Sequence, residues 1–340
     1  MAQNRKSFLM SVFQLNIDAT RGQTKLQQLV HSITEAVSNG TLKTGDVLPS
    51  VNQLSSESGF SRDTVFKAYR ILKKRGIIES APQKGYFVAS ESVKVFMLLD
   101  DFSAFKEQLY QSFRLNLPEN VSVDLLFHHY NKTVFRQLIQ NSIGRYSIFI
   151  IMNISHGNID PVLKKIDPKR LLILDMGNPE AEMNFLLQDF DEAVVNCLSQ
   201  GLNEIHKYEE FILIYSEKKT PHPAKTVDAF KRFCTTNFIK HRVAEKFNEK
   251  QLKAGQVYLA IKDSDLVEII KAGFKKDYQL GKDFGVLSYN DTPMKEITGG
   301  GITVISTDFG LMGEKAAAFV TNRQPVAEIL STRLITRKTL

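Results

Sequence analysis

The sequence predicts an α/β chain in two parts: a small helix-turn-helix with a β-hairpin wing, then a larger two-lobed α/β domain. Three observations predict it. Two short capped helices and a hairpin can be read between residues 48 and 88. Beyond Val93, apolar strands alternate with amphipathic helices. The positive charge is also concentrated in the first 90 residues, which carry 12 Lys and Arg against 6 Asp and Glu, while the remaining 250 carry 32 against 31. A chain of 340 residues has room for two domains, and 43% hydrophobic content is ordinary for a globular protein.

The first helix is expected from about Thr24 to Asn39, because Leu26, Leu29, Val30, Ile33 and Val37 recur at helical spacing and Gly40 supplies a stop. Leu48-Pro49-Ser50-Val51-Asn52-Gln53-Leu54 and Ser61-Arg62-Asp63-Thr64-Val65-Phe66-Lys67-Ala68-Tyr69 read as two short helices, each opened by a serine and joined by a turn at Gly59. In the second of these, Val65, Ala68, Tyr69 and Leu72 face the core, and Arg62, Asp63, Lys67, Arg70 and Lys74 lie on other faces. Arg75-Gly76 ends the helix, Ile77-Ile78-Glu79-Ser80 starts a strand, Pro82-Gln83-Lys84-Gly85 turns, and Tyr86-Phe87-Val88 returns. A helix-turn-helix with such a hairpin is a winged helix, and its Ser-Arg-Asp-Thr opening places polar and basic groups where a helix enters a major groove. The local excess of positive charge suits phosphate neutralisation, so this part is expected to bind double-stranded DNA. A basic solubilising tail would not carry the same folded apolar pattern.

The stretch from Lys25-Leu26-Gln27-Gln28-Leu29-Val30 to Phe87-Val88 resembles the GntR family of bacterial transcription regulators. It includes Gly40-Thr41-Leu42-Lys43-Thr44-Gly45-Asp46-Val47-Leu48-Pro49-Ser50, which is similar to the family's turn between its first and second helices. The family often has Arg where this chain has Asn52, and Gly-Arg-Gly-Thr where it has Gln83-Lys84-Gly85-Tyr86. Both departures bear on which DNA sequence is read. The expected DNA-reading residues are Ser50, Asn52, Ser61, Arg62, Thr64 and Lys67, with Lys84 and Gly85 in the wing.

Ala89-Ser90-Glu91-Ser92 reads as a short polar connector, dividing the chain into residues 1–90 and 91–340. Strands are expected at Val95–Leu99, Val121–Phe127, Ile148–Met152, Leu171–Leu174, Phe211–Tyr215, Val257–Ile261, Phe284–Leu287 and Ile302–Ile305, with helices such as Ala104–Leu115 and Thr133–Ile143 between them. Continuous apolar strands alternating with amphipathic helices indicate parallel sheets covered on both faces. About 250 residues exceed one mononucleotide-sized unit and suit two lobes with a cleft. The most apolar run, Ser147–Met152, is too short to span a bilayer, and Met1–Asn16 lacks a hydrophobic core of secretory length. Cys197 and Cys234 lack metal-ligand spacing and are expected as buried free thiols, in keeping with the cytoplasm.

Gly299-Gly300-Gly301 is read as a turn, since no Gly-Lys-Ser/Thr follows to make a phosphate loop. There is no nucleophile elbow, zinc-protease pair or dinucleotide fingerprint. No catalytic activity, cofactor or metal is expected, although a DNA-tethered enzyme and a ligand-independent architectural DNA binder stay as rival readings.

Three C-terminal blocks, Tyr258–Asp265, Gly285–Thr292 and Ile302–Ala317, resemble the LacI-type effector domain, whose fold is that of type I periplasmic sugar-binding proteins. A GntR-type reader followed by such a sensor is similar to arabinose-responsive repressors. The resemblance implies a homodimeric regulator, expected to be a repressor, that senses a monosaccharide; a non-sugar metabolite is the alternative effector. Ligand groups in such clefts sit beyond the carboxyl ends of strands. Those positions here hold Asp100, Asp101, Phe102 and Phe105, then His128, His129 and Asn153, then Asp189, Phe190 and Lys225, and finally Lys262, Asp263, Tyr289, Asn290 and Asp291. The expected effector set is Asp101, Phe102, Phe105, Asp189, Lys225, Lys262, Asp263 and Asn290, of which the resemblance places Asp189, Asp263 and Asn290 near ligand hydroxyls. Asp189 and Asp263 would serve equally as helix N-caps, and the two histidines read as ordinary loop residues.

Overall fold

The computed structural model describes residues 24–89, 93–155, 157–217 and 222–340. The expectation for Met1–Asn16 and most of the connector after Ala89 fall outside them. The chain divides into two compact units, Met1–Val93 and Lys94–Leu340.

In the first unit, helix α1 (Lys25–Ser38) is opened by Thr24, whose hydroxyl and backbone form a reciprocal capping box with Gln27. Helix α2 (Val51–Ser58) is capped by Ser50 and stops at Gly59, where φ is +69°, a left-handed conformation that costs glycine nothing. Helix α3 (Arg62–Lys74) follows at once, capped by Ser61. Strands β1 (Ile78–Ala81) and β2 (Gly85–Val88) pair antiparallel to form the wing. Leu29, Ile33, Leu54, Val65, Tyr69, Leu72 and Ile78 fill one shared core. Tyr69 fixes α3 to both neighbours: its hydroxyl donates to the Pro49 carbonyl at 2.8 Å, and its ring lies 4.6 Å from that of Tyr86. The winged helix-turn-helix is therefore present with the order that the sequence predicts.

The second unit contains two six-stranded sheets. The first has the order β13-β7-β6-β5-β3-β4, built from β3 (Val93–Leu99), β4 (Val121–Phe127), β5 (Ile148–Met152), β6 (Leu171–Asp175), β7 (Asn184–Gln188) and β13 (Ala327–Leu330). The second has the order β14-β12-β11-β10-β8-β9, built from β8 (Glu210–Ile214), β9 (His241–Ala244), β10 (Gln256–Ala260), β11 (Phe284–Tyr289), β12 (Thr303–Thr307) and β14 (Thr332–Ile335). All pairings from β13 to β3 and from β12 to β9 are parallel, and β14 runs antiparallel to β12. Every residue of β5, β10 and β12 is buried, as strands covered on both faces require.

The chain passes between the lobes three times, after β7, after β12 and between β13 and β14. Between the last two passages, helix α5 (Phe309–Asn322) packs on α4 (Ala104–Leu115) of the first lobe. Gly313 permits that contact, because a Cβ there would lie 2.3 Å from the Leu109 carbonyl oxygen. The crossings are tied together. Asp308 caps α5 and meets Arg333 at 3.4 Å, and the Thr307 and Thr332 hydroxyls are 2.9 Å apart.

The four short strands β7, β9, β13 and β14 are additions to the sequence reading. Edge strands β9, β13 and β14 are only partly buried, so they lack the continuous apolar run that marks the inner strands. A 3-10 turn spans Thr298–Gly300, φ is positive at Gly299, Gly300 and Gly301, and Cys197 and Cys234 are buried free thiols. No described helix is long and apolar enough to cross a membrane.

Candidate functional site

Two sites emerge, one on each unit. On the first unit, Ser50 and Ser61 accept from the backbone N–H groups of Gln53 and Thr64 at 3.2 and 3.1 Å, so their hydroxyls are engaged as caps. Thr64 also shares a 2.8 Å hydrogen bond with Ser61. Arg62 and Asn52 are exposed. Lys67 is held by Asp63 at 2.7 Å, an exposed i,i+4 pair worth about 0.3–0.5 kcal/mol that a phosphate could displace. In the wing, Lys84 lies over the Phe87 ring at 3.9 Å, and Gly85 has φ +77°. Ser61, Arg62, Thr64 and Lys67 thus share α3, Ser50 and Asn52 share the start of α2, and Lys84 and Gly85 form the wing turn. The sequence reading omitted Phe66, which projects half-exposed from α3.

The second unit holds a cavity of about 270 Å³ lined from both sheets. On the first-lobe side, Asp100 directly follows β3 and is buried; Lys106, from α4, bridges Asp100 and Asp101, and the Tyr130 hydroxyl donates to Asp100 at 2.6 Å. Burial opposes the charge on Lys106, but the two carboxylates outweigh it and raise its pKa. Asp175 ends β6 with φ +71°, and its carboxylate takes a hydrogen bond from the Gln188 amide. Burial and the nearby Asp100 charge push the Asp175 pKa up to about 6. On the second-lobe side, the Lys295 ammonium donates to the Tyr289 and Asn290 carbonyls at 2.8 and 2.9 Å and pairs with Asp263 at 2.7 Å, which uses all three of its protons. Burial lowers its pKa. His222 packs edge-on to Tyr289 at 4.4 Å, and Phe190 stacks on the same ring.

Of the expected effector residues, Asp101, Phe105, Lys262, Asp263 and Asn290 line this cavity. Three others are placed elsewhere. Phe102 is exposed and meets Phe127 edge-on at 6.1 Å. Asp189 accepts from the Asp191 and Ala193 N–H groups at 2.8 and 2.9 Å, which is the capping role open to it from the sequence. Lys225 is the exposed first residue of its helix. Sequence reasoning missed Lys106, Tyr130, Asp175, Gln188, His222 and Lys295, all of which line the cavity. Asp175 had a usable signal, since it directly follows the apolar run Leu171–Leu174. Lys106 and Lys295 had none, because a buried lysine looks like any helix lysine until its carboxylate partners are placed.

Four lining residues carry buried polar atoms without a hydrogen-bond partner among the described residues: Ser103 Oγ, Gln188 Oε1, Tyr289 Oη and Asn290 Oδ1. Asn290, like Asp175, is held at positive φ, +60°, at the carboxyl end of its strand. Strained backbone facing a cavity from both lobes fits a site built to position side chains.

Residues 25–88 match the family described as bacterial regulatory proteins, gntR family. The HTH-type transcriptional regulator YdcR of Escherichia coli (strain K12) is 39% identical over 71 residues, covering 21% of this chain and 15% of its own length. The chain thus spans only a small part of that relative. The HTH-type transcriptional repressor YtrA of Bacillus subtilis (strain 168) is 33% identical over 97 residues, covering 28% of this chain and 74% of that repressor. Among solved structures, the trehalose repressor from Escherichia coli superposes with a TM-score of 0.61 at 13% identity, covering 72% of this chain and 100% of that one. A LacI family transcriptional regulator from Lactobacillus casei, solved with bound glucose, gives a TM-score of 0.59 at 15% identity, covering 73% of this chain and 99% of that one. These likenesses give the larger unit the LacI-type fold. Through the match over residues 25–88 and the likeness to most of YtrA, the chain belongs to the GntR family of bacterial regulatory proteins.

Proposed function

We propose that this chain is a DNA-binding transcription repressor whose affinity for operator DNA is controlled by a small carbohydrate held in the cavity of the second unit. Residues 1–90 read DNA, and residues 91–340 bind the effector and form a homodimer. The observation that carries the effector reading is the surplus of buried acceptors in the cavity. Lys106 is held by two carboxylates and Lys295 by a carboxylate and two carbonyls, while among the described residues Gln188 Oε1 and Asn290 Oδ1 have no donor. Sugar hydroxyls are donors that suit such atoms, and Phe105 and Phe190 offer faces for the C–H surface of a ring. The glucose bound by the Lactobacillus casei regulator, on a similar fold, supports the same class of ligand.

One winged helix reads one half-site, so a two-fold dimer reads an inverted repeat. Closure of the lobes about a ligand would alter the spacing of the two reading helices, and coupling of this kind is worth about 1–3 kcal/mol. Sugar is expected to weaken operator binding, in the cytoplasm where the DNA lies. Calorimetry with neutral sugars, sugar phosphates and nucleosides, beside operator titrations, tests this. Asp263→Ala removes the carboxylate that engages Lys295 and is expected to leave operator affinity unchanged while abolishing the response to sugar. A panel in which no polyol binds would overturn the effector reading, and a variant that responds at the wild-type concentration would remove Asp263 from the site.

A further inference from the structure

Among the described residues of the first unit, the exposed large apolar side chains are Val47 and Phe66, and Phe66 is 49% exposed. It is not needed by the core: Val65, Ala68, Tyr69 and Leu72 supply the buried side of α3. Helical spacing puts Phe66 one turn from Arg62 and one turn from Arg70, both exposed, along a flank of the helix beside that core. Neither arginine is ion-paired among the described residues. An apolar ring therefore sits between two free cations in the first half of the helix that follows the turn.

The cations select a polyanion, and the ring asks for an apolar contact within it. In the major groove the apolar feature on a base edge is the thymine 5-methyl group, which phenylalanine can contact. We propose that Phe66 is a specificity-determining residue that reads a thymine methyl in each half-site, while Arg62 and Arg70 hold guanine or phosphate on either side. This rests on the DNA-binding reading above and goes beyond it by naming what one side chain recognises. A Phe at this place adds little to sequence-independent affinity, which comes from phosphate contacts.

The test starts with selection from a randomised duplex pool by the full chain, followed by titrations of the selected duplex with deoxyuridine replacing thymidine at one position at a time. At one thymine per half-site, loss of the methyl is expected to weaken wild-type binding about fourfold, as burial of one methyl group is worth. Phe66→Ala should bind the thymidine and deoxyuridine duplexes equally, and Phe66→Leu should retain part of the difference. Arg62→Ala should bind more weakly yet keep the methyl dependence. Because Phe66 is half-exposed, the variants should melt with the wild type, and equal affinity for an unrelated duplex checks that the fold survives. The proposal is overturned if the wild type is indifferent to deoxyuridine at every position, or if Phe66→Ala still discriminates. A pool from which no sequence is enriched would instead bring down the DNA reading itself.

Discussion

The proposed reading face of the first unit and the cavity of the second place their candidate functional groups in opposite environments. Arg62, Lys67, Arg70 and Lys84 are exposed on short elements whose caps and turns are set by residues a few positions away. In the cavity, Asp100, Lys106, Asp175 and Lys295 are buried, and each gains its partners from another element or from farther along the chain. Exposed charges in water interact weakly and exchange partners readily, which suits a surface that must trade solvent for phosphates. Buried charges interact strongly and tolerate little change, which suits a site that must hold a fixed pattern of donors and acceptors. The two regions should therefore respond to mutation very differently.

The largest effect is expected at Lys106. Lys106→Met removes the ammonium from the buried Asp100 and leaves an uncompensated carboxylate, a change that costs about 3–5 kcal/mol. Urea denaturation followed by a probe in the second unit would show it. A midpoint equal to that of the wild type would mean that the buried pair does not form.

Asp175 should give a smaller effect with a characteristic pH dependence. Its pKa is raised from 3.8 to about 6 by burial, so folding favours the protonated carboxyl. The stability this group contributes is full below its unfolded pKa and is lost as pH rises through about 6. Asp175→Asn, which cannot ionise, should make the ligand-free protein more stable above pH 6 by at most about 3 kcal/mol, from roughly 1.4 kcal/mol per unit. It should give no advantage below about pH 4. Melting curves across that range check it, and a pH-independent difference would show that Asp175 is not desolvated in this way.

On the reading face the expected effects are smaller and show in binding rather than stability. Arg62→Ala should cost about 1–3 kcal/mol of operator affinity and relax sequence preference if it reads a base. Lys84→Ala should weaken all duplexes alike and reduce the slope of log affinity against log salt by about one. Gel-shift titrations at several salt concentrations separate the two. If neither change alters affinity, these contacts are misassigned.

The difference between the regions also explains how much could be read in advance. Ser50 and Ser61 cap their helices, and Gly59 turns, through contacts within three or four residues, so a linear reading finds them. The inner strands, such as Ile148–Met152, declare themselves because burial on both faces demands an unbroken apolar run. Asp101, Lys262, Asp263 and Asn290 could be nominated because strand ends are where parallel sheets put their ligand loops. Asp189 satisfied the same rule and yet turned inward to cap its own helix, since one carboxylate can serve either purpose.

The sequence by itself determined the winged helix, the alternation of buried strands with amphipathic helices and the concentration of charge on the first part. Those properties follow from local capping, hydrophobic periodicity and composition. Only the tertiary structure decided that Lys106 would neutralise Asp100, that Gln188 on an unforeseen strand would meet Asp175, and that Lys295 would bind Asp263 across 32 residues of chain. Such pairs are chosen by long-range packing and made strong by exclusion of water, and neither is encoded in the neighbourhood of any one residue.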